Sequence, residues 1–172
     1  MAKILSVANQ LLSLKGCIRI TDENDALAYE ARGEWAFLSP TWRVFTGENV
    51  DDVPNATIRK RIFSWVPTWD IDAGTGLFQI RRKVFSWTRQ YYAVGGEYDG
   101  AIIKGNIWDL KFAITHHSRT LATAAQKIFT FRDRHSVEIP GEGEWFVVMA
   151  MLVMQIDRRM EQSKRMMNNH DD

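Results

Sequence analysis

Trp145-Phe146-Val147-Val148-Met149-Ala150-Met151-Leu152-Val153-Met154 is a run without a charged or amide side chain, near the end of a chain whose patterning is otherwise strand-like. Read as a helix it is apolar on every side, and such a helix must be surrounded by protein or lipid. Crossing a bilayer takes roughly 20 apolar residues, whereas runs of about 10 to 14 belong more often to buried core helices. The competing reading, a membrane anchor, is also opposed by Asp157-Arg158-Arg159, which closes the run with charge. Val and Phe would suit a strand equally well, so length arbitrates. No Gly or Pro follows Gly143, and the run continues through Gln155 to Arg165 in good helix-forming sequence. Glu142 and Glu144 at the start, with Arg158, Arg159, Lys164 and Arg165 toward the end, complement a helix dipole. The sequence predicts a central helix over about residues 142–165, with Trp145, Val148, Met149, Leu152 and Ile156 in the core and a polar tail over 166–172.

A wall for this helix is legible upstream. A short motif of aliphatic, aromatic or Leu, Ser/Thr/Asp, then aromatic or Leu recurs along the chain, roughly two dozen residues apart each time. Its clearest copies are Ile62-Phe63-Ser64-Trp65, Val84-Phe85-Ser86-Trp87, Ile107-Trp108-Asp109-Leu110 and Ile128-Phe129-Thr130-Phe131. Weaker copies are Leu11-Leu12-Ser13-Leu14 and Ala36-Phe37-Leu38-Ser39. The spacing suits a strand, a turn, a second strand and a connection. Within the units the apolar residues alternate, as in Leu110, Phe112 and Ile114 or Leu27, Tyr29 and Ala31. Asp22-Glu23-Asn24-Asp25, Thr46-Gly47-Glu48-Asn49, Ala73-Gly74-Thr75-Gly76, Gly95-Gly96 and His116-His117-Ser118 supply turn chemistry between them. About twelve antiparallel strands result, over about residues 5–140, and a sheet of that length removes its edges by closing. The fold class is mainly β: a closed antiparallel barrel of about twelve strands around a central hydrophobic C-terminal helix. About ten to twelve apolar residues at about 1.5 Å each make a rod of roughly 15 to 18 Å, comparable to the height of a wall of five- to six-residue strands. Residues 1–172 form a single domain in this reading, an ordinary size for one core.

Composition excludes some function classes. The formal net charge is +1, so no global charge drives the chain to nucleic acid or membrane, and an anionic partner must be held by a local patch. The single cysteine, Cys17, cannot make an intrachain disulfide and reads as a small buried strand residue. Met1 to Leu12 lack the apolar core of a signal peptide, and a reducing cytoplasmic setting is expected.

Leu12-Ser13-Leu14-Lys15, Gly105-Asn106-Ile107-Trp108-Asp109, Ala125-Gln126-Lys127-Ile128-Phe129-Thr130 and Leu152-Val153-Met154-Gln155-Ile156-Asp157-Arg158 occur in an order and spacing that resembles the bacterial LURP-one-related branch of the tubby C-terminal-like superfamily, which also includes the phospholipid scramblases. The resemblance spans roughly Leu12 to Arg158. It implies the same barrel around a helix. It also implies phosphoinositide binding for the tubby proteins, lipid-linked roles for the scramblase-like proteins, and no settled activity for bacterial members. One fold hosts many functions, so the site has to be argued separately.

Two basic clusters, Arg59-Lys60-Arg61 and Arg81-Arg82-Lys83, each precede a copy of the repeat and are candidates for an anionic headgroup site at equivalent ends of neighbouring hairpins. The bland alternative is a solvated barrel wall whose charges discourage sheet association. Consecutive strand residues point to opposite faces, so Lys60 cannot share a face with Arg59 and Arg61 without a bulge, which puts it at the rim or in a pair. Asp157 either caps the core by pairing with a basic residue at the barrel mouth or is solvated just outside.

Other constellations carry little chemistry. His116-His117 are adjacent, and His135 and His170 lack ligand-like spacing with Cys17 or a carboxylate, so no metal is expected and the pair reads as a turn with Ser118. Asp70-Ile71-Asp72 runs into Ala73-Gly74-Thr75-Gly76 without the remaining ligands of a calcium loop or the pattern of a phosphate loop. No nucleophile elbow appears, and Ser13, Ser64 and Ser86 read as structural residues that satisfy local backbone where a strand bends. Trp65, Trp87 and Trp108 recur within the repeat and read as barrel packing rather than base-stacking platforms.

The expectation is therefore a protein with no catalytic residue, cofactor or enzymatic activity and a lumen filled by its own helix, which argues against an internal small-molecule cavity and leaves its surface as the place of function. One reading is a tubby-like protein binding anionic phospholipid or phosphoinositide headgroups at a basic outer surface, at the cytoplasmic face of the membrane. The alternative is a cytoplasmic protein-interaction or scaffold module without a lipid role. Neither nucleic acid nor a transmembrane span is expected.

Overall fold

The computed structural model describes residues 2–8, 16–34, 40–47, 53–74, 76–107, 109, 111–125 and 136–168. The strands are β1 (Lys3–Ala8), β2 (Cys17–Asp22), β3 (Leu27–Glu34), β4 (Thr41–Thr46), β5 (Ala56–Lys60) and β6 (Thr68–Asp72). They continue as β7 (Leu77–Arg82), β8 (Gln90–Val94), β9 (Ile102–Asn106), β10 (Lys111–His116), β11 (Arg119–Ala125) and β12 (Ser136–Ile139). One helix, α1 (Glu144–Asn168), comes after them. Each strand pairs antiparallel with its sequence neighbours, and β1 pairs with β12 through Lys3↔Ile139 and Leu5↔Val137, which closes the barrel.

Alternation explains how this wall holds a core. Ile58, Ile71, Ile80, Ile103, Ile114 and Val137 are fully buried and face inward, while their sequence neighbours are more exposed or polar. Phe146 to Asp157 of α1 are buried without interruption, including Val148, Met149, Leu152 and Ile156. The plug is therefore in place. Beyond the plug the helix projects outward, exposed from Gln162 to its end at Asn168, so Met166 and Met167 of the polar tail are helical. Trp145 is only half-buried, because it stands at the point of entry, where its ring lies 5.6 Å from that of Tyr29.

Of the expected turns, Asp22-Glu23-Asn24-Asp25, Gly95-Gly96 and His116-His117-Ser118 fall between strands, while Glu48, Asn49 and Thr75 of the other two lie outside the described residues. His117 and Ser118 adopt φ of 46° and 63° in the tight β10–β11 hairpin, where His116 pairs with Arg119. Two successive positive φ values are what a two-residue hairpin needs to follow the strand twist.

The repeat lies elsewhere than read. Ile62–Trp65 and Val84–Trp87 belong to the loops β5–β6 and β7–β8, not to strands, and their rings do not pack the barrel. Phe63 is 96% exposed, Trp65 104%, Phe85 92% and Trp87 106%. The strands end first, at Lys60 and Arg82, so the apolar residues fall after the ladder instead of within it. Ser64 shapes its loop, its Oγ donating to the Val66 carbonyl and standing 3.1 Å from Thr68 Oγ1. In the copy between β9 and β10, Ile107 is buried, while Trp108 and Leu110 lie outside the described residues. The copies at residues 11–14, 36–39 and 128–131 also lie outside them.

Antiparallel order gives the barrel two distinct mouths. Connections from an odd to the next even strand gather at one rim, and those from an even to the next odd strand at the other. Since β12 runs toward the second rim, α1 enters there and leaves through the first. We term these the entry and exit rims.

Candidate functional site

The two basic clusters sit at the exit rim, at the ends of β5 and β7, which are separated in the sheet only by β6. Strand alternation splits each cluster between the two faces of the wall. Lys60 and Arg82 turn toward the lumen; Arg59, Arg61, Arg81 and Lys83 belong to the outer side or the loops.

The inward pair serves the helix. Arg82 Nη1 lies 2.9 Å from Asp157 Oδ2 and also contacts Glu161. Arg89, which closes the β7–β8 loop, reaches the same Asp157 oxygen at 3.1 Å and likewise contacts Glu161. Tyr91 Oη donates to Asp157 Oδ2 at 2.8 Å. Asp157 is buried, so of its two readings the pairing at the barrel mouth is the one observed. Both feet of the β7–β8 loop are thereby clasped to the last buried turn of α1. Burial alone would raise the carboxyl pKa of Glu161, but Arg89 and Arg82 outweigh it and hold it below the usual value. The Tyr91 hydroxyl is pushed up by burial and by Asp157. Lys60 lies with Nζ 3.8 Å from the Met160 sulfur and 5.7 Å from the centroid of the Trp69 ring, its cross-strand partner, and burial lowers its pKa.

On the outside, Arg61 Nε lies 2.7 Å from Asp70 Oδ2, Gln79 donates to Asp70 Oδ1 at 2.7 Å, and Arg81 Nη2 donates to Gln79 Oε1 at 2.7 Å. One carboxylate thus serves a row that holds two guanidinium groups. Arg59 and Lys83 are exposed on the same side. The structure therefore brings Arg59, Arg61, Arg81 and Lys83 together as an outer group and assigns Lys60 and Arg82 to the core seal.

The rims differ in charge. Among the described residues, the entry-rim connections carry Asp22, Glu23, Asp25, Glu97, Asp99 and Glu142, with Lys3 and Arg119 as cations nearby. The exit rim carries Arg61, Arg82, Lys83 and Arg89, joined by Arg158, Lys164 and Arg165 of the emerging helix, against Glu34, Asp109, Asp157 and Glu161. A chain close to neutral overall is thus polarised along its barrel axis.

Aromatic side chains were the part sequence reasoning placed wrongly. Phe63, Trp65, Phe85 and Trp87 crown the exit rim, each quartet preceded directly by cations. The signal available was that position: a polar basic triplet ends the alternation, so the residues after it need not share the strand's inward face.

The lumen itself is filled. A cavity of about 640 Å³ opens beyond the plug, at the entry rim, walled by Phe78, Tyr98, Trp145 and Phe146 with Glu97 and Glu142 at its edge. Its aromatic wall is tightly made, Phe146 stacking on Tyr98 at 4.8 Å between centroids. Among the described residues no group of His, Cys, Asp and Glu is arranged to hold a metal ion, and no helix is long and apolar enough to cross a membrane.

A family model described as LURP-one-related matches residues 3–157. An X-ray structure of a protein from Arabidopsis thaliana is similar to the chain with a TM-score of 0.60 and 16% identity, over 91% of this chain and 90% of that one. At that identity the likeness speaks to the fold. No curated protein matches the sequence.

Proposed function

The chain belongs to the LURP-one-related family, and we propose that it is a non-enzymatic module that docks by its exit rim on an anionic phospholipid surface, at the cytoplasmic face of a membrane. The observation that carries this reading is the charge polarity of the barrel. With acidic groups gathered at the entry rim and Arg61, Lys83, Arg158, Lys164 and Arg165 at the exit rim, a negative surface orients the molecule exit rim first. Each Lys or Arg close to an anionic leaflet contributes roughly 1 kcal/mol. Arg59, Arg61, Arg81 and Lys83 form the headgroup-facing set, phosphoinositides being its most highly charged ligands. Lys60 and Arg82 support it from within.

Co-sedimentation with neutral and with anionic liposomes tests this. Binding is expected on anionic liposomes at low salt, and it is expected to fall when Arg59, Arg61, Arg81 and Lys83 are all changed to Ala. Absence of binding at low salt, or binding that survives the four substitutions unchanged, sinks the basic-surface reading and leaves the protein-interaction module in its place.

A further inference from the structure

We infer that the loops carrying Ile62–Trp65 and Val84–Trp87 are a paired wedge that inserts its rings into an anionic bilayer, at the boundary between headgroups and acyl chains. This rests on the membrane reading above and names what the rim meets there: the apolar interior edge of the leaflet, in addition to headgroup charge.

Four observations carry it. First, Phe63, Trp65, Phe85 and Trp87 are each at least 92% exposed, with Ile62 and Val84 beside them at 52% and 51%. Scattered single apolar residues are ordinary on a protein surface, but a cluster on one rim marks an interaction site. Second, rings exposed to that degree pack neither on the barrel nor on one another. A flat protein surface would cover one side of each and leave the flanks wet; a fluid apolar medium covers all sides. Third, the loops spring from hairpins related by the β6–β7 pairing, so equivalent positions are two strand spacings, roughly 10 Å, apart. Cations stand at their bases, Arg61 before the first quartet and Lys83 before the second. Rings above and cations below match the order of layers met on entering an anionic leaflet, where Trp favours the interface. Fourth, the feet of the wedge are fixed before any contact. Arg82 and Arg89 hold the second loop on Asp157 and Glu161, and Lys60, at the foot of the first, packs on Met160 and Trp69. A preorganised wedge pays little ordering entropy on insertion.

The test uses the full chain and vesicles of phosphatidylcholine with phosphatidylserine, with and without bromine on the upper acyl chain as a contact quencher of Trp emission. Wild-type emission is expected to be quenched on binding. A Trp65→Phe, Trp87→Phe variant keeps its apolar area and is expected to bind normally while losing most of that quenching. Changing Phe63, Trp65, Phe85 and Trp87 together to Ser is expected to weaken binding about tenfold or more, since these rings supply the apolar area. All four positions are solvent-exposed, so these variants are expected to fold, with unchanged circular dichroism.

Binding without quenching, or a Ser variant that binds like wild type, overturns the wedge and leaves headgroup binding standing. Equal binding and quenching on pure phosphatidylcholine overturns the anionic occupant, and with it the basic-surface reading. A doubled mass in light scattering without lipid, lost in the Ser variant, overturns the wedge in favour of a second copy of the chain.

Discussion

Gly105 and Asp157 show how single positions set this structure. Gly105, in β9 opposite Phe112, has φ of +122°, and a Cβ built there falls 2.1 Å from the Lys111 carbonyl oxygen and 2.7 Å from the Phe112 Cα. The obstacle is backbone, so no side chain can swing away. Gly105→Ala is expected to cost at least about 2 kcal/mol, from strain at positive φ together with overpacking, read as a lower midpoint in urea unfolding; an unchanged midpoint would mean that β9 shifts freely. This gives a physical basis for the glycine in the Gly105-Asn106-Ile107 segment, whose family likeness was visible in sequence without its cause. At Asp157 the sequence offered two readings, paired or solvated. The partners Arg82 and Arg89 are 75 and 68 residues away, and nothing local announces them. Breaking a buried pair by removing one partner costs about 3 to 5 kcal/mol, and because both arginines keep Glu161 we expect about 2 to 3 kcal/mol for Asp157→Ala. Arg82→Ala is expected to cost less, since Asp157 retains Arg89 and Tyr91. A denaturation series in which Asp157→Ala matches wild type would show the clasp to be stabilising nothing.

The helix and the loops present the same apolar signal to a reader of sequence, yet one was legible and the other was not. The α1 run is unbroken by Gly, Pro or charge, and its length permits only burial in protein. Its role is correspondingly absolute. Leu152 is fully buried in the middle of the plug, and a carboxylate there meets an apolar wall with no partner. Leu152→Asp is expected to yield insoluble or non-cooperatively melting protein; a soluble variant with a sharp melt would refute the threaded barrel. The Phe-Ser-Trp quartets are short, and over so few residues apolar content does not distinguish an inward strand from a protruding loop. Recurrence suggested packing because repeated apolar residues usually line a core. What recurs here is position in the topology: the described copies all fall in odd-to-even connections, at the rim the helix leaves by. Sequence periodicity reports the spacing of hairpins and is silent on which part of each hairpin repeats.

A neutral net charge also hid an axis. Composition sums the two rims, and only closure of the barrel separates Glu97, Asp99 and Glu142 from Arg61, Lys83 and Lys164. Such a molecule has two contributions to surface attachment that respond differently to salt. Attraction of the exit-rim cations is screened as the Debye length shrinks from about 10 Å at 0.1 M to about 3 Å at 1 M ionic strength. Burial of rings is not screened, and strongly excluded salts such as sulfate strengthen it. Vesicle co-sedimentation across a sodium chloride series is therefore expected to show wild-type binding that falls several-fold and then levels at a salt-resistant remainder. In the variant with Phe63, Trp65, Phe85 and Trp87 changed to Ser, the same series is expected to fall to background, because only the screened part is left. The variant with Arg59, Arg61, Arg81 and Lys83 changed to Ala is expected to start lower at low salt and to converge on the wild-type remainder. Wild-type binding that reaches background together with the Ser variant would reduce the attachment to charge alone, and the exposed rings would then have no part in it.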